Sequence, residues 1–373
     1  MNGRLVRHLV IALFILGTAW WSLSAAQRAE ARGPDQGPAQ GPAYGNPQFA
    51  ATAVWLEEHM DDVIVVDVRT DEYFDGTVIP GAIRMPWSLF RMDDKERNLA
   101  STFVGVGRAE ALLGEHGISR QSRVVLYDSV KRDGGATASY VFWVLDVLGH
   151  PDKRVLDGGI DAWKAADGAL AKEPATLPPV EYAAPADELR RDLLIHGEFV
   201  EARLDDPHYQ ILDVRSAAEY RGEKGTRGMQ GEPLKLGHIP TAGNIEYTQA
   251  WQDEDTKLLK SQAQLEELYA GLDPSKTIIV YCNSGRRSSF SYYVLRLMGL
   301  PRVITYEPSW KEWGQPGKFF PVETRENPLP SGPALQLDGD QAAREPARPM
   351  PTPRPAPRAP SEEPAGGYVS CGG

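Results

Sequence analysis

Cysteine is nearly absent from this chain of 373 residues, which holds only Cys282 and Cys371. Two thiols make no disulfide framework, so the fold must rest on a packed core. A Cys282–Cys371 bond would in any case block chemistry at either sulfur. Histidine is scarce too: the seven are scattered, and none stands with cysteine at metal-ligand spacing, so no metal is expected. Positive charge is in deficit, with 40 Lys and Arg against 51 Asp and Glu and a net charge of -11. Without a basic stripe the chain does not read as a nucleic-acid binder. Long apolar runs are missing except near the N-terminus.

That one run, from Leu9 to Trp21, follows Arg4 and Arg7 and leads to Ser24-Ala25-Ala26 before Gln27. The pattern is that of an export signal with a cleavage site, and it is short for a membrane span of about 20 residues. A cleaved signal over 1–26 and a periplasmic or secreted protein are expected. The alternative is an uncleaved anchor holding the protein to the membrane, outside the cytoplasm. No cysteine lies near the site to take a lipid. Residues 27–47, rich in Gly, Pro and Gln, read as a flexible spacer. Residues 325–373, dominated by Pro and Ala with Arg, read as a disordered tail that cannot bury a core. Cys371 within it reads as an incidental exposed thiol; the sharper alternative is that it accepts sulfur from Cys282.

The middle of the chain is duplicated. Ile64-Val65-Val66-Asp67-Val68-Arg69 pairs with Gln210-Ile211-Leu212-Asp213-Val214-Arg215. Val78-Ile79-Pro80 pairs with His238-Ile239-Pro240, and Val124-Val125-Leu126-Tyr127 with Ile278-Ile279-Val280-Tyr281. Leu156-Asp157-Gly158-Gly159 pairs with Tyr306-Glu307-Pro308-Ser309. Four blocks in one order imply two copies of one unit. Short apolar runs alternate with amphipathic stretches, which signals βα units and an α/β fold with mainly parallel sheets flanked by helices. Domains are expected over 48–173 and 186–324, joined by a Pro-rich linker over 174–185.

Chemistry concentrates at Tyr281-Cys282-Asn283-Ser284-Gly285-Arg286-Arg287-Ser288. A buried strand delivers one thiol to a tight loop, and a helix follows from about Ser288 to Met298. The helix N-terminus and the arginines favour the thiolate, and the loop amides suit an anion or a charged sulfur adduct. A cysteine that is merely packed has no use for a glycine and two arginines in the next five positions.

This loop resembles the active-site loop of the rhodanese (thiosulfate sulfurtransferase) family, C-x-x-G-x-R, with Cys282, Gly285 and Arg287 at the fixed positions. Cysteine phosphatases place Arg six residues after Cys, and position 288 is Ser. Asp213-Val214-Arg215, Glu219-Tyr220 and Gly237-His238-Ile239-Pro240 resemble further elements of the family, and the duplication is similar to its tandem form, two rhodanese-like domains.

The resemblance implies an inactive first domain, because Asp128 stands where the second has Cys282 and is expected to be a surface or structural residue. It implies Cys282 as the catalytic nucleophile, with Asn283, Ser284 and Gly285 stabilising a persulfide. Arg215, Arg286 and Arg287 are expected to bind a small anionic donor. The basic loop favours thiosulfate over mercaptopyruvate, with cyanide or a thiol as acceptor and no cofactor. A 3-mercaptopyruvate sulfurtransferase and a non-catalytic binding module of the same fold are the alternatives. The family's D-G-S-W element is replaced by Glu307-Pro308-Ser309-Trp310, where Ser309 and Glu312 are expected to form a capping box.

Overall fold

The computed structural model describes residues 44–330 together with Leu335 and Leu337. The expected signal, most of the spacer, the end of the tail and Cys371 lie outside the described residues. Each copy of the repeat builds a parallel sheet. In the first copy, β1 (Ala50–Ala51), β2 (Ile64–Asp67), β3 (Ile83–Arg84), β6 (Val124–Tyr127) and β7 (Lys153–Leu156) take the order β1-β7-β6-β2-β3. In the second, β8 (Tyr209–Asp213), β9 (Gly243–Asn244), β10 (Thr277–Tyr281) and β11 (Val303–Thr305) take the order β11-β10-β8-β9. All pairings within both sheets are parallel. The central strands β6 and β10 are apolar without alternation, as strands covered on both faces must be.

The helices are α1 (Ala53–His59), α2 (Val106–Glu115), α3 (Ala136–Val147) and α4 (Gly159–Ala165) in the first domain. The second has α5 (Gly197–Glu201), α6 (Ala217–Tyr220), α7 (Gln262–Leu268), α8 (Arg286–Met298) and α9 (Ser309–Trp313). Every residue of α3 is buried, as its largely apolar sequence demands. It packs on its own sheet and across the domain boundary on α8, with Phe142 edge-on to Tyr293 at 5.1 Å. A polar cluster sits in the same interface: Asp146 pairs with Lys153 at 2.8 Å, accepts from the Tyr292 hydroxyl at 2.7 Å, and lies 3.5 Å from Arg296. One apolar core therefore runs through both domains.

The described end of the expected flexible spacer is tied down, and the linker is held as well. Tyr44 at the end of the spacer is buried, and its hydroxyl donates to the Lys260 carbonyl at 2.8 Å. Asn46 bonds Leu297 and Arg296 carbonyls at the end of α8. The linker lies along the first domain, where Val180 N–H donates to Gly114 O at 3.0 Å and Ala184 N–H to Glu110 at 2.8 Å.

One element has no counterpart of similar length in the second copy. The antiparallel hairpin β4 (Arg91–Asp94) and β5 (Leu99–Phe103) leaves the first domain and reaches the second. Its Thr102 hydroxyl donates to Glu307 at 2.7 Å, and Gln315 donates back to the Arg97 and Asn98 carbonyls at 3.1 Å.

Candidate active site

Strand β10 ends at Tyr281, so Cys282 is the first residue beyond the carboxyl edge of the second sheet, between β8 and β11. This is where ligands gather on open parallel sheets. Cys282 is 1 % exposed, under the first domain. The backbone around it is fixed on one side by α9. The Cys282 N–H donates to the Ser309 hydroxyl at 3.1 Å, the Cys282 carbonyl accepts from Trp310 N–H at 3.1 Å, and the Asn283 carbonyl accepts from Lys311 N–H at 2.9 Å. Ser309 donates onward to the Tyr306 carbonyl at 2.6 Å. The expected capping box is therefore not formed, because Ser309 is engaged by the cysteine backbone. Glu312 instead accepts from Gly197 N–H at 2.9 Å and the Tyr306 hydroxyl at 2.8 Å.

On its other side the loop turns into α8 through Gly285, whose φ of +88° suits only glycine. A Cβ there would lie 2.8 Å from Glu307 Cγ. The helix starts at Arg286, two residues earlier than its apolar pattern suggests, and the hydroxyls of Ser288 and Ser289 donate back to the Gly285 carbonyl at 2.9 and 2.7 Å.

The expected site residues divide into three groups. Arg287 turns inward and binds Glu219 through two bonds, at 2.9 and 3.0 Å, while Asn283 donates to the same carboxylate at 2.8 Å. Burial works against both charges. For Glu219 the Arg287 guanidinium and Ser216 overcome it and hold the carboxyl down at about 2. For Arg287 the carboxylate and the nearby Cys282 sulfur overcome it and raise its affinity for its proton. Arg286 faces the first domain and pairs with Asp133. Burial and the guanidinium groups of Arg132, Arg287 and Arg91 push Arg286 down to about 9, which leaves it charged at neutral pH. The Ser284 carbonyl accepts from Arg91 of the hairpin at 2.7 Å.

Arg215 is the correction. The structure does not present it to a substrate. It is 2 % exposed, its guanidinium binds Asp213 at 2.6 to 3.1 Å and the Gly237 carbonyl at 2.7 Å, and it lies over the Trp310 ring at 4.3 Å. The Tyr281 hydroxyl completes the cluster by donating to Asp213 at 2.6 Å. The first domain repeats it: Arg69 binds Asp67 at 2.7 and 2.9 Å and the Thr77 carbonyl at 2.6 Å. A cluster present in both copies, only one of which has a thiol, ties strands together and needs no substrate. His238 is likewise structural, stacked on Tyr220 at 3.7 Å and bonded to its carbonyl at 2.8 Å.

Asp128 shows what this strand–loop–helix junction holds. Its backbone matches that of Cys282: the Asp128 carbonyl accepts from Ile160 N–H at 3.0 Å as the Cys282 carbonyl accepts from Trp310. The carboxylate is buried, not on the surface, and accepts from the N–H groups of Gly135, Thr137 and Ala138 at 2.9, 3.1 and 3.1 Å and from the Thr137 hydroxyl at 2.7 Å. Burial raises its pKa, against the pull of those donors. An acid side chain thus occupies the amide nest at the start of α3. The matching amides in the second domain belong to Gly285, Arg287 and Ser288, because Gly135 and Gly285 both precede the first helical residue with φ of +88°.

Two further cations, Arg91 and Lys311, meet the cysteine loop from outside the motifs. Arg91 comes from the hairpin, outside any motif, and nothing local marks it. Lys311 follows directly on the Ser309-Trp310 pair, and the short spacing from the α9 start was the available signal.

The match to known proteins agrees with this geometry. Residues 52–166 and 197–316 each match the model of the rhodanese-like domain. The chain is 34% identical over 286 residues to the sulfur carrier protein TtuD of Thermus thermophilus, covering 73% of this chain and 95% of that protein. It is 30% identical over 292 residues to a thiosulfate sulfurtransferase of Corynebacterium glutamicum, covering 76% and 93%. In three dimensions it resembles the Tum1 protein of Saccharomyces cerevisiae, with a TM-score of 0.63 at 21% identity over 75% of this chain and all of that one. A thiol carried at the edge of the second of two matching sheets, in a chain whose two halves both fit one domain model, places this protein in the rhodanese family, in its tandem form.

Proposed function

We propose that this protein is a sulfurtransferase that carries a sulfane sulfur on Cys282, taking it from thiosulfate. The observation that supports this best is the amide nest. Its first-domain copy encloses the Asp128 carboxylate, so the same fold at Gly285, Arg287 and Ser288 offers donors to an anionic sulfur on Cys282. The Cys282 thiolate attacks the outer sulfur of thiosulfate. The sulfur–sulfur bond of the donor breaks, sulfite leaves with the bonding pair, and Cys282 holds a persulfide anion. Cyanide or a thiolate then attacks the outer sulfur and leaves as thiocyanate or a new persulfide, which restores the thiolate. Both steps are nucleophilic displacements at sulfur that need no metal or organic cofactor. Asn283, Ser284 and Gly285 give the loop its shape, and Arg286 and Arg287 supply positive charge beside the dianion.

The relative named as a sulfur carrier favours a second reading, in which the acceptor is a protein thiol and the cysteine is a relay. Mercaptopyruvate is the alternative donor. Reduced protein incubated with thiosulfate should gain one sulfur atom on Cys282 by intact mass and release sulfite, and Cys282→Ser should lose roughly a thousandfold in turnover. A folded, reduced protein that stays unmodified by either donor would end this reading, and faster loading from mercaptopyruvate would reassign the donor.

We further propose that the protein acts outside the cytoplasm, on the strength of Arg4, Arg7 and the apolar run to Trp21. Cell fractionation checks it: recovery of the full-length chain with Met1 retained in the cytosolic fraction would refute export.

A further inference from the structure

We propose that Arg91 of the first domain and Lys311 of α9 form an anion subsite beside Cys282, which selects doubly charged sulfur donors. The idea deepens the sulfurtransferase reading and rests on it for the identity of the donor, but not for the existence of the subsite.

Arg91 opens β4 at the base of the interdomain hairpin. Its side chain is only 4 % exposed, held between the Trp87 and Tyr140 rings at 5.0 and 4.7 Å. One nitrogen, Nη2, donates to the Ser284 carbonyl at 2.7 Å, inside the cysteine loop, and lies 3.7 Å from Glu307. The other two, Nε and Nη1, are buried with no hydrogen-bond partner. Buried donors of a charged group are rarely left so, since each unmet bond carries a desolvation cost. Glu307 does not free Arg91 of this demand, because its oxygens already accept from Thr102 at 2.7 Å and Tyr140 at 3.0 Å. A guanidinium anchored to the loop by one nitrogen, with two donors unmet, is suited to an oxyanion bearing several acceptors.

Lys311 adds the second charge. Its backbone N–H holds the Asn283 carbonyl at 2.9 Å, so its side chain leaves α9 beside the loop. The ammonium has the Ala100 carbonyl at 3.3 Å as a neutral neighbour. Burial and the Arg91 charge lower its pKa, and Asp93 and the Cys282 sulfur work the other way, which places it within the field of both. Arg287 and Lys311 lie within the field of the Cys282 sulfur, and Arg91, Arg132 and Arg286 gather on the first-domain side of the loop, with Asp93, Asp133, Glu219 and Glu307 as the acidic neighbours. Arg132, Arg286 and Arg287 are paired with carboxylates, whereas Arg91 and Lys311 hydrogen-bond only carbonyl oxygens, which leaves these two for a sulfonate oxygen cluster whose outer sulfur meets Cys282. A thiosulfonate anion or an α-keto acid brings a single charge and uses less of that field.

The test compares alkylation of Cys282 by iodoacetate and by iodoacetamide, read by mass spectrometry on the whole reduced chain. The two reagents are close in size, so their rate ratio cancels whatever limits entry and reports the local field. Wild type should favour iodoacetate relative to a free thiol. Arg91→Met should lower the ratio about tenfold and Lys311→Met by several-fold. In turnover, both should raise KM for thiosulfate while leaving kcat within about threefold and KM for methanethiosulfonate nearly unchanged. Arg91→Lys, which keeps the charge, should retain most of the ratio and covers the case in which Arg91→Met misfolds. An unchanged alkylation ratio together with an unchanged KM for thiosulfate in folded Lys311→Met, or in folded Arg91→Met, would overturn the proposal. If wild type turns over no thiosulfate yet the ratios fall as stated, the subsite stands and the choice of donor falls instead.

Discussion

Glu219 anchors the cysteine loop more firmly than any residue inside it. It accepts from Arg287, Asn283 and the Ser216 backbone and hydroxyl, so one carboxylate joins α6, the loop and the first turn of α8. Its carboxyl is held at about 2, below the ordinary 4.5. A depressed carboxyl pKa adds stability above the unfolded-state value and loses it as pH falls through the folded one. Stability should therefore decline between about pH 4.5 and 2, by on the order of 2 kcal/mol after allowance for solvent screening. Glu219→Gln should be less stable at pH 7 and lose that part of the acid dependence. Thermal melts across this range check it, and parallel curves for the two proteins would refute the role. At this scale Cys282, Gly285 and Arg287 were legible because chemistry and spacing meet in eight consecutive residues. Arg215 was not. Its motif is read equally well as a ligand or as a strand tie, and only the finding that Arg69 makes the same contacts in a domain without a thiol decides between them.

The junction of β10, loop and α8 is the element on which the site depends. Strand and helix were evident from the apolar runs, but the turn between them is set by contacts from α9, 27 or more residues on in the chain. Gly285 shows the constraint: its positive φ and its approach to Glu307 leave no room for a side chain. Gly285→Ala should cost about 2–4 kcal/mol through backbone strain and the clash. It should also slow sulfur loading of Cys282, because the nest would open. A variant with parental melting temperature and loading rate would show that the turn tolerates a Cβ. The expected capping box at Ser309 failed for a related reason. Local pattern marks Ser309 as a cap, yet the Cys282 backbone is close enough to claim its hydroxyl, and a local preference of about 1 kcal/mol is easily overridden by such a tertiary contact.

Across the whole molecule the two copies have diverged in role while keeping one backbone. The first has exchanged the thiol for a carboxylate that fills its own nest, and it extends a hairpin over its partner's loop. The shared face of α3 and α8 holds the copies together around a paired charge cluster, so the site forms against a firm wall. The sequence alone determined the duplication, the parallel α/β sheets and the place of Cys282 in a strand–loop–helix junction, because periodic burial and short-range loop chemistry are written in neighbouring residues. The tertiary structure alone decided that Arg215 is turned into a strand tie, that Arg287 is held by Glu219, and that Arg91 crosses from the other domain to the cysteine loop. Those contacts join residues up to 193 positions apart, and no local pattern encodes a partner that distant.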